Sequence, residues 1–222
     1  SYGGDSRAVG GQLTGVQFIS ATSRAFAAIK SDGSVVTWGD ASFGADSTSV
    51  DDQLTGVLSI IANEGAFAAI KADGSVVTWE DKFARSGGDN TTVADQLTGV
   101  QSISATDKAF AAIKDDGSVV AWGDSSFGGD SLTLTDLLTD VQSISATRGA
   151  FAAIKADGSV VTWGGLLYGS DSRSVIDQLI GVQSIYAADR AFAAITTDGS
   201  VVTWGESSYG GNSSSVADQL TE

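Results

Sequence analysis

Two series of carboxylates recur along this chain at fixed places and are the first candidates for chemistry. Asp32, Asp73, Asp116, Asp157 and Asp198 each precede a glycine, while Asp5, Asp46, Asp89, Asp130 and Asp171 follow small, glycine-rich segments. Neighbouring carboxylates can act as an acid and base pair or hold a hard cation such as calcium. An Asp before Gly is also a turn residue, because its side chain hydrogen-bonds its own backbone. A catalytic group copied five times is a poor design, so turn chemistry is the reading adopted, with no metal and no cofactor. Serine is abundant, but the chain has no His, which excludes a Ser-His-Asp arrangement and imidazole ligation. It has no Cys, which excludes disulfides and thiolate metal sites. The pairs Gly3-Gly4, Gly87-Gly88, Gly128-Gly129 and Gly210-Gly211 lack the Lys-Ser/Thr and the following helix of a phosphate-binding loop. No enzyme is expected.

The five tryptophans, Trp38, Trp79, Trp122, Trp163 and Trp204, could stack on sugars. That would make the chain a carbohydrate-binding or adhesive surface protein, the alternative function. A Trp at one place in every copy reads first as core. More informative are the positions that vary inside an otherwise repeated unit. The turn Thr22-Ser23-Arg24 has counterparts Asn63-Glu64-Gly65, Thr106-Asp107-Lys108, Thr147-Arg148-Gly149 and Ala188-Asp189-Arg190. Arg24, Lys108, Arg148 and Arg190 should then form a broken ring of positive charge on one face. Lys82, Phe83 and Arg85 form a second variable patch. Variable loops on a rigid scaffold commonly carry binding, so these seven residues are the candidate partner-binding set; simple drift at unconstrained turns is the competing explanation.

The elements that position these residues follow from the repeat. Phe26, Phe67, Phe110, Phe151 and Phe192 step in parallel with the tryptophans, by 41, 43, 41 and 41 residues. A period of this size signals a solenoid, propeller or array. Within a unit, Val16-Gln-Phe-Ile-Ser reads as a strand ending in the variable turn. Ala25-Phe-Ala-Ala-Ile-Lys30 is a second strand, cut by the Asp-Gly hairpin signal at Asp32-Gly33. Ser34-Val-Val-Thr-Trp38 returns as the third. The remaining segment, such as residues 47–54, is a fourth strand, a helical turn or a loop; Val50 and Leu54, four apart, lean towards a helical turn. One small sheet buries too little to stand alone, and stacking buries both faces.

The unit Val100-Gln-Ser-Ile-Ser-Ala…Ala109-Phe-Ala-Ala-Ile…Asp116-Gly-Ser-Val-Val-Ala-Trp-Gly123…Phe127-Gly-Gly resembles the repeat of the regulator-of-chromosome-condensation (RCC1) family, and its short-repeat branch in particular. The resemblance implies an all-β, RCC1-like β-propeller, or an arc of one, with three- to four-stranded blades. It covers residues 1–222 as a single repeat domain, five units and a partial sixth at 208–222. The family's His before the second strand is Ala here (Ala25, Ala66, Ala109, Ala150, Ala191), its Ala-Gly after the first strand is Ala-Thr, Ala-Asn or Ala-Ala, and Glu80 replaces the Gly after Trp79. Nucleotide exchange and β-lactamase inhibition rest on loops with no matching residues here, so neither is carried over. The family closes with seven blades; five units favour an arc over a five-bladed ring with overlapping ends.

Composition narrows the partners. The net charge of −15, from 27 acids and 12 bases, disfavours nucleic acid and anionic membranes. It also keeps a strand-rich repeat protein soluble. No apolar run is long enough to span a bilayer. The acidity suits an extracellular or organelle-lumen setting over the cytoplasm. A start in mid-repeat and the lack of Met suggest a processed product or a piece of a longer chain or multi-subunit complex. The expected function is non-enzymatic: a protein-binding or scaffolding module at the periphery of a larger assembly.

Overall fold

The structure, a computed structural model, describes residues 3–80 and 86–219. Each unit forms one three-stranded antiparallel sheet in sequence order. Unit 1 holds β1 (Val16–Ala21), β2 (Ala25–Lys30) and β3 (Val35–Gly39); unit 2 holds β4 (Val57–Ala62), β5 (Ala66–Lys71) and β6 (Val76–Glu80). Unit 3 follows with β7 (Val100–Ala105), β8 (Ala109–Lys114) and β9 (Val119–Gly123), and unit 4 with β10 (Val141–Ala146), β11 (Ala150–Lys155) and β12 (Val160–Gly164). Unit 5 ends the series with β13 (Val182–Ala187), β14 (Ala191–Thr196) and β15 (Val201–Gly205). Among the described residues there is no fourth strand. The undecided segment is a short 3-10 turn, Asp51–Gln53 in unit 1 and Ala94–Gln96 in unit 2. Leu54 behind the first of these turns is buried and Val50 packs against the same cluster, which is how the two apolar side chains hold the segment down.

The Ala-Phe-Ala-Ala-Ile pattern explains the stacking. Successive strand residues face opposite sides, so Ala25, Ala27 and Ile29 present one face and Phe26 and Ala28 the other. The first set packs on Ile60, Phe67, Ala69 and Trp79 of the next unit. The same arrangement recurs between units 2 and 3, 3 and 4, and 4 and 5. Alanine on one side lets the bulky Phe–Trp side of the next sheet come close. Those rings are cross-strand partners, Phe67 opposite Trp79, and stack at 5.1 Å. The first strands β1, β4, β7, β10 and β13 lie against one another in turn, which makes them the innermost strands around a common axis.

The array is an arc rather than a closed ring: among the described residues no comparable contact joins β1 to β13. Unit 1 shows what the open end costs. Ile19 is 50 % exposed, whereas its counterpart Ile60 is 3 % exposed under the sheet of unit 1. Trp38 and Phe26 are likewise only half-buried, unlike their buried copies.

Candidate functional site

Both aspartate series are turn-makers. In the hairpins, Ser34 donates to Asp32 Oδ1 from its backbone N at 3.0 Å and from its Oγ at 2.6 Å. Asp73, Asp116 and Asp157 repeat the pattern with Ser75, Ser118 and Ser159, and Asp198 accepts from Ser200 N and Thr196 Oγ1. These bonds favour the ionised form, and the serine hydroxyl bond leads in holding Asp32 below the usual carboxylate range. The second series opens the 3-10 segments. Asp46 accepts from Thr48, and Asp171 accepts from the Arg173 side chain, which draws its pKa down to about 2. All of these carboxylates are spread over separate turns, and among the described residues no three or more gather as a metal site. EDTA is therefore expected to leave the melting temperature of calcium-treated protein unchanged; a fall of many degrees would make the aspartates metal ligands.

The tryptophans are also structural. Trp79, Trp122, Trp163 and Trp204 are buried, and Trp79 Nε1 donates to Gly44 O and Trp163 Nε1 to Gly128 O, both at 3.0 Å. The faces of these four are covered by phenylalanine and by the neighbouring sheet, whereas Trp38 is half-buried.

The variable turns do converge on one end of the array. They are tied to each other through the backbone: Ser23 N donates to Glu64 O, Glu64 N to Asp107 O, Asp107 N to Arg148 O and Arg148 N to Asp189 O, at 2.9–3.2 Å. Four of these turns surround an axial hollow of about 370 Å³ that includes Glu64, Asp107, Arg148 and Asp189. Here Arg148 donates from Nε to Asp107 Oδ2 at 2.9 Å, and its Nη2 lies 2.8 Å from the same oxygen.

The four bases do not make a single ring. Arg148 occupies the second turn position, at the axis, in a company of carboxylates. Arg24, Lys108 and Arg190 occupy the third position and lie on aromatic rings instead. Arg24 Cζ is 4.6 Å from the centroid of Phe43 and Lys108 Nζ 5.3 Å from Phe127. Arg190 Cζ sits between Tyr168 at 5.4 Å and Tyr209 at 5.1 Å. Cation and ring attract through the ring's negative face. Phe127 and Tyr168 are themselves 5.4 Å apart, so a continuous row runs Lys108, Phe127, Tyr168, Arg190, Tyr209 across units 3 to 5. Sequence reasoning missed these aromatics, although Phe43, Phe127 and Tyr209 each stand 19 residues after the base they meet. Lys82, Phe83 and Arg85 lie outside the described residues.

The loops that carry the aromatics are stapled to the turns by a hydroxyl. Thr22 Oγ1 donates to Phe43 O at 2.8 Å and accepts from Ala25 N at 3.0 Å. Thr106 and Thr147 do the same with Phe127 O and Tyr168 O, and Asn63 holds Ser86 O through Nδ2. Position 188 is Ala, which has no such group. Ala188→Thr should restore the staple to Tyr209 O and raise unfolding free energy by about 1 kcal/mol in urea melts; no gain would show that the Arg190–Tyr209 contact already holds this loop.

Residues 100–128, which make up most of unit 3, match the family model described as the regulator of chromosome condensation (RCC1) repeat. The other four units repeat its strands, its hairpin and its Phe–Trp pair. The chain is built of RCC1-like repeats. Solved structures agree on the fold of these repeats. Prp20p from Saccharomyces cerevisiae superimposes with a TM-score of 0.59 at 14% identity, covering 90% of this chain and 59% of that one. Human WBSCR16 gives 0.57 at 16% identity, covering 86% and 61%. The ectodomain of the Arabidopsis thaliana receptor kinase ACR4 gives 0.55 at 18%, covering 88% and 71%. The RCC1-like array thus spans about 60% of the length of Prp20p and of WBSCR16. No curated protein sequence matches the chain.

Proposed function

We propose that this RCC1-like array is a non-enzymatic protein-binding module, peripheral to a larger assembly, which docks its partner on the end bearing the turns between the first and second strands. One observation carries the reading. On nearly copied sheets, the turn residues change from unit to unit, Ser23-Arg24, Glu64-Gly65, Asp107-Lys108, Arg148-Gly149 and Asp189-Arg190, yet the backbone bonds hold all five in one rigid rim. A rim that is rigid in backbone and free in side chain supports recognition, because little ordering is left to be done on binding. Arginine and aromatic residues, concentrated here, are the types that dominate interfaces. Prp20p, with the same fold, has reported binding properties to Gsp1p and histones, which is in keeping with a protein partner.

The test reverses exposed cations on this rim. Arg24→Glu with Arg148→Glu should weaken partner capture strongly, chiefly through a slower and salt-sensitive association rate. Stability should change little, since exposed ion pairs contribute about 0–1 kcal/mol. Arg190 is unsuitable for this purpose, being half-buried between two tyrosines; its reversal would disturb packing, contrary to what its place in an acidic turn suggests. Lys30→Glu with Lys155→Glu, at the hairpin end, is the control. If the control pair governs capture and the rim pair does not, the docking face is the opposite one.

A further inference from the structure

The chain holds three asparagines, Asn63, Asn90 and Asn212, and the fold treats each differently. Asn63 is structural: its Nδ2 holds Ser86 O, and its Oδ1 accepts from Gly65 N and Ala66 N. The other two open the triplets Asn90-Thr91-Thr92 and Asn212-Ser213-Ser214. Both have the Asn-x-Ser/Thr form, with no proline between, that oligosaccharyltransferases use as the acceptor for N-linked glycans. The motif is short, and a chain rich in Ser and Thr produces it by chance. What separates the two triplets is their register on the repeat.

Asn212 takes the next place in the series Asp5, Asp46, Asp89, Asp130 and Asp171. Each of those aspartates makes its turn by accepting through Oδ1 from the backbone N two residues on, at 2.9–3.1 Å. Asn212 does the same with Ser214 N at 3.0 Å. The turn needs only the oxygen. The amide nitrogen, which an aspartate lacks, is left over, and among the described residues no acceptor holds it. Asn212 is exposed, and so is Ser214, the hydroxyl residue of the triplet. Ser213 between them bonds Thr203 of β15, through N at 3.1 Å and Oγ at 3.0 Å. β15 is the outer strand of unit 5, because the first strands are innermost. The free amide thus lies at the periphery of the array.

Asn90 is one register step further on. Its equivalents are Ser47, Ser131 and Ser172, all buried, whose Oγ atoms bond Thr37, Ala121 and Thr162 of the third strands at 3.0–3.2 Å. Asn90 is half-buried in that place. A branched glycan fits poorly at a position that faces the third strand.

We propose that Asn212 is an N-glycan acceptor, and that Asn90, with the same triplet, is not used in the folded chain. The donor is an oligosaccharide carried on a polyisoprenyl pyrophosphate. Asn212 Nδ2 forms a bond to C1 of the first sugar. The C1–O bond breaks, its electron pair leaves on the lipid pyrophosphate, and one amide proton passes to a base of the transferase. The step is a substitution, with nothing oxidised or reduced. It takes place on the lumenal or extracellular side of a membrane, the setting that the acidity of the chain suits. The inference does not depend on which face docks a protein.

Transfer in vitro, read by intact mass and peptide mapping, tests it on the whole chain. The folded chain is incubated with a purified oligosaccharyltransferase and a lipid-linked oligosaccharide, beside peptides of residues 86–96 and 208–218 as the unfolded reference. Both peptides should accept a glycan, whereas the folded chain should gain one glycan mass, on Asn212. Asn212→Asp, the residue of the other units, keeps the turn and should abolish the gain. Ser214→Ala should abolish it too, and Ser214→Thr should retain it. A bare Asn212 in the folded chain, equal modification of Asn90, or a glycan that survives Ser214→Ala overturns the inference. Refusal of the 86–96 peptide also overturns it, because the choice would then lie in the sequence and not in the fold. The chain isolated from its native source should show the same gain in mass, removed by a peptide N-glycosidase that leaves Asp at position 212. A bare Asn212 there overturns the inference as well.

Discussion

Trp122→Ala is expected to lower the unfolding free energy by about 3–5 kcal/mol, the range for removing a large aromatic from a packed interior. Trp122 is 1 % exposed and stacks on Phe110 at 5.3 Å. Its sheet face belongs to the cluster formed with Ala66, Ala68 and Ile70 of unit 2, so the cavity would open between two units rather than inside one. The Nε1 of this indole has no hydrogen-bond partner among the described residues, so the loss is one of packing. Urea melts of the two proteins measure it. Trp38→Ala provides the internal comparison, because that ring is half-buried at the open end of the arc and no sheet covers it. The expected order is a smaller loss for Trp38 than for Trp122. Equal losses, or a Trp122 loss below about 1 kcal/mol, would mean that the sheets do not pack on one another as described.

Gly123→Glu is expected to cost about 3 kcal/mol or more, a sum of backbone strain and collision. Gly123 closes β9 at φ 107°, a conformation that L-residues rarely adopt. A Cβ there would stand 2.6 Å from Lys108 O and 2.9 Å from Ala109 Cα, both backbone atoms of the neighbouring strand end. Unit 2 already carries Glu at the equivalent position, and Glu80 does not have a positive φ. Its carboxylate accepts from Gly88 N at 2.7 Å. The chain between Trp79 and Trp122 is two residues longer than its copies. Placing Glu at position 123 without the extra length should therefore be far worse than Glu80 is in its own unit. A loss below about 1 kcal/mol would show that the loop adapts unaided. Inserting two residues after Asp124 in the Glu variant should recover part of the loss.

The sequence by itself determined the unit and its strands. The 41-residue step of Phe and Trp, the Asp-Gly hairpin and the alternation in Ala-Phe-Ala-Ala-Ile are local signals, each set by side-chain period or turn geometry within a few residues. The same locality made the aspartates legible as turn-makers, because the groups that bond them lie two positions away. Three strands per unit, and not four, was open in the sequence. A segment anchored by Val50 and Leu54, with Ser47 bonded to Thr37 of β3, has no strand partner to declare, and its 3-10 turn follows from that tertiary anchor.

What only the tertiary structure decided lies between units. The sequence placed Arg24, Lys108, Arg148 and Arg190 in equivalent turns, but a one-position offset sends Arg148 to the axis beside Asp107 and the other three outwards on to rings. That offset acquires meaning once inter-unit backbone bonds hold the turns in register. The Phe and Tyr residues beneath the bases come from a loop 19 positions on, beyond the reach of any helical or strand period. The exposure of Leu166 and Leu167 likewise could not be read from two apolar letters in a chain that buries Leu54, Leu97, Leu138 and Leu179 but exposes Leu58, Leu132 and Leu137. Burial is a property of what packs against a residue, and among the described residues nothing covers those two leucines.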